Sequence, residues 1–210
     1  MGITLSDTSS YVARSLFYDS IGKTNNLKFM ATGDPTQPEY YYVVPMAHSW
    51  TKEFSDAGYN ALYDTYEDHH REFDSMQWEN QDIISYMDHG AENWAGIRST
   101  EIPLLSNSYV SNDACSTCAY NRGSIGDLFC TRAIRRGAIG HAGAVSVAWT
   151  WNNIYMNILN GIYYKNMTMG QAYQDGFEYE AYKYQTTLIG DPTFHFNPKY
   201  LLKNQLEFTR

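Results

Sequence analysis

A chain of 210 residues with 43% hydrophobic and 18% charged content suits one folded domain with a real core, not a disordered segment. Its formal net charge of -8, with 15 Lys and Arg and no basic run, argues against nucleic acid as the main partner, since phosphate binding needs clustered cations. No apolar stretch approaches the roughly 20 residues of a membrane span, and Met1-Gly2-Ile3-Thr4 lacks the charged and apolar regions of a signal peptide.

Ser6-Asp7-Thr8-Ser9 is N-cap material for a first helix, with Val12, Leu16 and Phe17 at helical spacing and Gly22 as its stop. Leu27 to Thr32 reads as a short strand ended by Gly33-Asp34-Pro35. The Tyr-rich segment Pro38 to Val44 fits a loop or an extended piece. Trp50, Phe54 and Ala57 lie at i, i+4 and i+7, which predicts an amphipathic helix from His48 to Ala57 with Gly58 as its C′ residue. Tyr59 to Tyr66 is a second strand. Glu67 to Asn80 is polar with Phe73 and Met76 on one face, a helical pattern. Asp82 to Met87 and Ser108 to Asp113 are the third and fourth strands.

Gly123-Ser124 introduces a helix with Ile125, Leu128, Phe129 and Ala133 on one face, Arg132, Arg135 and Arg136 on its solvated face, and Gly137 as its close. Ala138 to Val147, small and apolar, is a fifth buried strand. Ile154, Ile158 and Ile162 mark a helix over Asn153 to Tyr163. Thr168-Met169-Gly170-Gln171 matches a capping box and opens a last helix through about Tyr184, with Tyr173, Phe177 and Tyr184 inward. Leu188-Ile189-Gly190-Asp191-Pro192 then turns into a short strand, Thr193 to Phe196. Strands and helices alternate without a linker or repeat. The pattern predicts an α/β fold in one domain, residues 1–210, with right-handed crossovers and a mostly parallel sheet covered on both faces.

Ligands of such sheets sit at the carboxyl ends of the strands. Two strands stop there at reactive side chains: Ile83-Ile84-Ser85-Tyr86-Met87-Asp88-His89-Gly90 and Tyr109-Val110-Ser111-Asn112-Asp113-Ala114-Cys115. An imidazole beside a thiol raises the thiolate fraction of a group whose free pKa is about 8.5, and makes a nucleophile with its base. The oxyanion that follows attack on a carbonyl needs aimed donors, and the N–H groups of Gly90 and Cys115 are the candidates. Singly, a His or Cys at such a place is structural or core filler; the pair carries the reading. Three Cys leave two arrangements open: Cys118 bridged to Cys130 with Cys115 free, or three reduced thiols. Cys115-Ser116-Thr117-Cys118 as a zinc half-site lacks its second half; as a dithiol redox motif it needs a helix start directly after the strand.

Asp88-His89-Gly90, followed by a strand ending Asp113-Ala114-Cys115, resembles the His-Gly and Ala-Cys pair of the caspase-like (clan CD) cysteine peptidases. The wider text resembles the gingipain family, C25: Ala57-Gly58-Tyr59, Ile83 to Tyr86, Trp94, Arg135-Arg136-Gly137-Ala138-Ile139-Gly140, Val145 to Trp149, Thr168 to Tyr173 and Leu188 to Thr193, together spanning roughly residues 10–197. The resemblance implies a caspase-like three-layer α/β/α sandwich and endopeptidase activity on a protein or peptide substrate. It assigns His89 as base and Cys115 as nucleophile, with no cofactor required for the chemistry; calcium stays open as a structural ion. It also implies secretion or cell-surface display, as part of a larger multidomain or surface protein. Trp149 would wall the pocket for the P1 side chain, or simply pack. Asp34 is the candidate carboxylate for orienting His89, because its strand should lie beside the third; it is equally an ordinary turn residue before Pro. Asp113, with Asp88 and Asp127, would favour a basic P1 residue. Two departures stand out: Asp88 precedes His89 where the family often has Gly, and Cys118 sits close enough to Cys115 to compete for its role. A peptidase-like binding or structural domain without turnover is the alternative reading, and a dithiol oxidoreductase a third.

Overall fold

Leu27, Phe29, Met30 and Ala31 are all buried, as are Ile83, Ile84, Tyr86 and Met87. Strands that are apolar on both faces need cover on both faces. The computed structural model, which describes residues 4–21, 24–31, 36, 40–65, 78–90, 93–94, 97–121, 124–147, 154–176 and 185–196, has that form. In chain order its elements are α1 (Leu5–Leu16), α2 (Tyr18–Ile21), β1 (Asn26–Ala31), α3 (Tyr40–Asp56), β2 (Asn60–Thr65), β3 (Ile83–Met87), β4 (Asn93–Trp94), β5 (Ile97–Arg98), β6 (Tyr109–Asp113), α4 (Phe129–Arg135), β7 (Gly140–Ala144), α5 (Ile154–Tyr163), α6 (Met169–Gly176) and β8 (Thr186–Gly190).

Six strands form one sheet in the order β2-β1-β3-β6-β7-β8. The first five are parallel and β8 runs antiparallel to β7. As expected, β1 lies beside β3, and β3 beside β6. The chain moves outward from β1 to β2, then returns and builds in the other direction from β3. The order reverses between β1 and β3, where α/β sheets open a crevice at the strand ends.

Alternate strand residues feed two cores. On one face Leu27, Phe29, Ile83 and Tyr109 pack with Trp50 and Phe54 of α3, Ile158 and Ile162 of α5, and Met169 and Ala172 of α6. On the other, Met30, Ile84, Tyr86 and Val110 meet Trp94, Phe129, Ala133 and Ile134 of the β4–β5 hairpin and α4. The result is the three-layer sandwich expected. Among the described residues no helix is long and apolar enough to cross a membrane.

Several boundaries differ from expectation, each for a physical reason. The helix predicted from His48 begins eight residues earlier, at Tyr40, and encloses Pro45. Val43, Ala47, Trp50 and Phe54 form its buried stripe. Pro45 deprives the Tyr41 carbonyl of a helical partner, but Tyr41 is exposed and water can take its place. In α1 the cap is Thr4, whose hydroxyl and backbone N–H exchange hydrogen bonds with Asp7. Val12, Leu16 and Phe17, the apolar residues at helical spacing, are exposed. Polar anchors dock the helix instead: the Tyr11 hydroxyl donates to the Ile139 carbonyl at 2.9 Å and accepts from Asp191 N–H at 2.6 Å, while Arg14 donates to the Ile134 carbonyl at 2.8 Å. Arg135 and Arg136 are exposed, as expected of a solvated face, and the arginines at the end of α4 also bind: Arg132 pairs with Asp127 at 3.1 Å, and Arg136 donates to the Ile102 carbonyl at 2.8 Å.

The last strand is Thr186–Gly190, not Thr193 to Phe196. Asp191 accepts from both the N–H and the hydroxyl of Thr193, which turns the chain away from the sheet. The expected capping box of α6 is present, Thr168 N–H to Gln171 at 3.0 Å and Gln171 N–H to Thr168 at 3.3 Å. Most of the helix expected over Glu67 to Asn80, and the stretch from Phe177 to Tyr184, lie outside the described residues.

Gly137 closes α4 in a Schellman motif: its N–H reaches the Ile134 carbonyl at 3.2 Å, and Ala138 N–H reaches that of Ala133 at 2.9 Å. Its φ is +120°, and an added Cβ would stand 2.1 Å from the Leu105 carbonyl oxygen. Gly137→Ala is expected to cost about 2 kcal/mol or more, the combined effect of strain and displaced backbone. Urea unfolding should show a lower midpoint with unchanged slope.

Candidate active site at the carboxyl rim of β3 and β6

Parallel pairing sets Met87 of β3 opposite Asp113 of β6. His89 and Cys115 each follow two residues later, on the same rim of adjacent strands. The Asp88 N–H donates to the Asp113 carbonyl at 3.2 Å, which carries the ladder one step past the strand ends.

The imidazole of His89 is mostly exposed, with 76% of its side chain accessible. Its backbone is held from two sides. Its N–H donates to Asp88 Oδ1 at 2.6 Å, and its carbonyl accepts from the Tyr86 hydroxyl at 2.6 Å. Tyr86 is itself fixed in an aromatic pile, stacked on Trp94 at 5.0 Å, and Trp94 on Phe129 at 4.3 Å. Gly90 bridges to Trp94 in antiparallel pairing. The Nε2 atom of His89 lies 3.8 Å from Asp88 Oδ1. Asp88 is therefore a carboxylate within reach of the imidazole, a contact between sequence neighbours that residue order alone did not single out. Asp34 and Trp149 lie outside the described residues.

Cys115 is half-buried, at the start of a turn in which Ser116 takes a φ of +58°. Ser116 N–H donates to the Ser146 carbonyl at 2.7 Å and Cys118 N–H to that of Ala144 at 2.8 Å, tying the turn to the end of β7. None of the three cysteines is in a disulfide. Cys118 is fully buried beside Cys130 and Leu128, and burial, with Cys130 as neighbour, pushes its thiol well up. An inert buried thiol is poorly placed to compete with one at the rim. No helix starts behind the strand at this C-x-x-C, as the redox reading required.

Asp113 is 5% exposed, and its carboxyl is pushed up to about 8, first by burial and then by the nearby Asp88 charge. Burial thus favours its protonated form at neutral pH. Asp127 is exposed and paired with Arg132. Asn112 and His141 are buried polar residues next to this rim that the sequence reading passed over; only their place in apolar strands marked them. Among the described residues no group of three or more His, Cys, Asp or Glu is arranged to hold a metal ion.

The raised Asp113 carboxyl has a definite consequence for stability. The unfolded chain loses this proton near pH 3.8 and the fold keeps it to about pH 8. Between those values the unfolded state binds fewer protons, so this group's contribution to stability falls as pH rises and levels off above about 8. Asp113→Asn should therefore match the parent in thermal unfolding below pH 4 and exceed it by several degrees at pH 8; equal melting temperatures at pH 8 would contradict the assignment.

The family model described as "Peptidase family C25" matches residues 1–197. No curated protein sequence matches the chain. Among solved structures, the Arg-specific cysteine proteinase gingipain R (RGPB) superposes with a TM-score of 0.75 at 13% identity, covering 92% of this chain and 54% of that one. The complex of Porphyromonas gingivalis RgpB pro- and mature domains gives a TM-score of 0.74 at 14% identity, covering 92% and 55%. The chain thus spans about half the length of these structures, and the likeness shows the gingipain caspase-like α/β fold. With a family match over nearly its whole length and that fold behind it, the chain belongs to peptidase family C25.

Proposed function

We propose that this domain is a cysteine endopeptidase acting on protein or peptide substrates, with Cys115 as nucleophile and His89 as general base. Family and fold support a cysteine peptidase; the β3–β6 register, which sets His89 and Cys115 two residues beyond matched strand ends, is the observation that carries the finer assignment. His89 takes the Cys115 proton, and the thiolate attacks the scissile carbonyl carbon. The N–H groups of Gly90 and Cys115 receive the oxyanion. As the tetrahedral species collapses, the imidazolium passes its proton to the departing amine and leaves a thioester on Cys115. Water, deprotonated by His89, then attacks the thioester and releases the carboxylic acid and the thiol.

Asp88, 3.8 Å from His89 Nε2, favours the imidazolium that forms midway. Asp34 and Trp149 keep the roles that the family resemblance gives them, orienting His89 and walling the P1 pocket. Asp113, buried and held toward its protonated form, presents no anion to P1, so a basic-residue preference does not follow from its charge. Display outside the cell follows from the same family resemblance.

A panel of peptidyl acyloxymethyl ketones with varied P1 residues tests the assignment. Peptide mapping should find the label on Cys115. His89→Ala should slow labelling by about a hundredfold or more, while Cys118→Ala should leave it near the parent rate. Absence of labelling across the panel would turn the reading toward a binding module without turnover.

A further inference from the structure

Directly beneath the turn that carries Cys115 lies a polar chain inside an otherwise apolar core. Asn112 of β6, Thr117 of the turn and His141 of β7 are each 0% exposed. The Asn112 amide nitrogen stands 2.6 Å from His141 Nε2. An amide N–H₂ only donates, so Nε2 must present its lone pair and the ring proton must sit on Nδ1. Burial holds His141 down to about 3, which keeps the ring neutral and Nε2 an acceptor at working pH.

This contact decides which way the Asn112 amide faces. Its nitrogen is committed to His141, so its oxygen points to the turn. There it accepts the Ala114 N–H at 3.3 Å and the Thr117 hydroxyl at 3.1 Å. Those two donors bracket Cys115 and Ser116, the residue at φ +58°.

Two further observations set the network apart from incidental packing. Gly143 on β7 leaves the room it needs: a Cβ there would lie 2.8 Å from Asn112 Nδ2, 2.9 Å from His141 Nε2 and 3.0 Å from Thr117 Oγ1. And His141 comes at a cost. Its Nδ1 has no hydrogen-bond partner among the described residues, with the rings of Trp94 and Phe129 6.1 and 6.4 Å away. A buried donor left unpaired is unfavourable, and an apolar side chain in this place would remove it only by orphaning the Asn112 N–H that Nε2 now accepts. What the imidazole supplies that no apolar side chain could is a fixed acceptor for the Asn112 amide.

We propose that Asn112 and His141 are positioning residues for Cys115: a neutral imidazole orients the Asn112 amide, whose oxygen clamps both ends of the turn that presents the thiol. The inference rests on Cys115 being the nucleophile. It adds a support under the thiol that touches neither substrate nor the reacting sulfur.

The test uses His141→Leu, which removes the acceptor, His141→Gln, whose amide oxygen can stand where Nε2 does, and Thr117→Val, which removes one clamp donor. Each is assayed with the peptidyl acyloxymethyl ketone that labels the parent best, separating kinact from KI, alongside urea unfolding. His141→Leu should lower kinact by about tenfold or more with KI within threefold of the parent, in protein that still unfolds in a single cooperative urea transition. His141→Gln should restore kinact to within threefold, and Thr117→Val should fall between. Amide exchange at Ala114 should speed up in His141→Leu and not in His141→Gln. Parent-like kinact in His141→Leu would overturn the proposal, as would equal losses in the Leu and Gln variants accompanied by lower unfolding midpoints. A parent protein that never labels at Cys115 would instead remove the peptidase reading itself, and this inference with it.

Discussion

The register between β3 and β6 is the constraint on which everything else at this rim depends. Both strands are buried on both faces, so each side chain is assigned to one of two cores. A slip of one residue would carry Tyr86 and Asn112 into the opposite core and Ser85 and Ser111 into theirs, at the cost of every packed contact. Because Met87 must face Asp113, the residues that follow leave the sheet together. The candidate dyad is thus set by backbone hydrogen bonds and hydrophobic packing, long before any specific contact between the two side chains.

The two halves of the rim are supported by different physics. Under His89 lies an aromatic pile, Tyr86 on Trp94 on Phe129, with one hydroxyl reaching up to the backbone carbonyl. Such a pile resists displacement through area and shape, and leaves the imidazole itself free to turn in solvent. Under Cys115 the support is a directional hydrogen-bond chain, in which each group's donor or acceptor role dictates the next. That difference suits the roles proposed for the two residues: a base that changes partner between steps, and a nucleophile whose sulfur and N–H must both keep their place.

Electrostatics separates residues that look alike in the sequence. Asp88 and Asp113 are both buried at strand ends. Burial first, and then the nearby Asp88 charge, penalises the ionised form of Asp113, whose carboxyl is pushed up to about 8. Cys115 and Cys118 are separated in the same way, one half-exposed at the rim and the other sealed beside Cys130.

Local sequence was enough for much of this molecule. Apolar β-prone runs stopping at Gly or Asp marked β1, β3 and β6; glycines at Gly58 and Gly137 marked helix ends, where φ values of +99° and +120° demand them; Thr168 and Gln171 marked the cap of α6. The alternation of elements implied a parallel sheet, and hence that the strand-end His89 and Cys115 share one edge. These features are legible because each depends on a few neighbouring residues. Long-range contact decided the rest. Which side of α1 faces inward depends on Tyr11 reaching Ile139 and Asp191, more than a hundred residues away. The early start of α3 depends on a core that accepts Val43 and Val44 despite Pro45. The antiparallel β8 depends on a turn made by Asp191 after the strand, not before it. The proton on Asp113 depends on burial and the lone pair on His141 Nε2 on its contact with Asn112, which composition cannot express, because a side chain's charge and tautomer are set by neighbours that only the folded chain supplies.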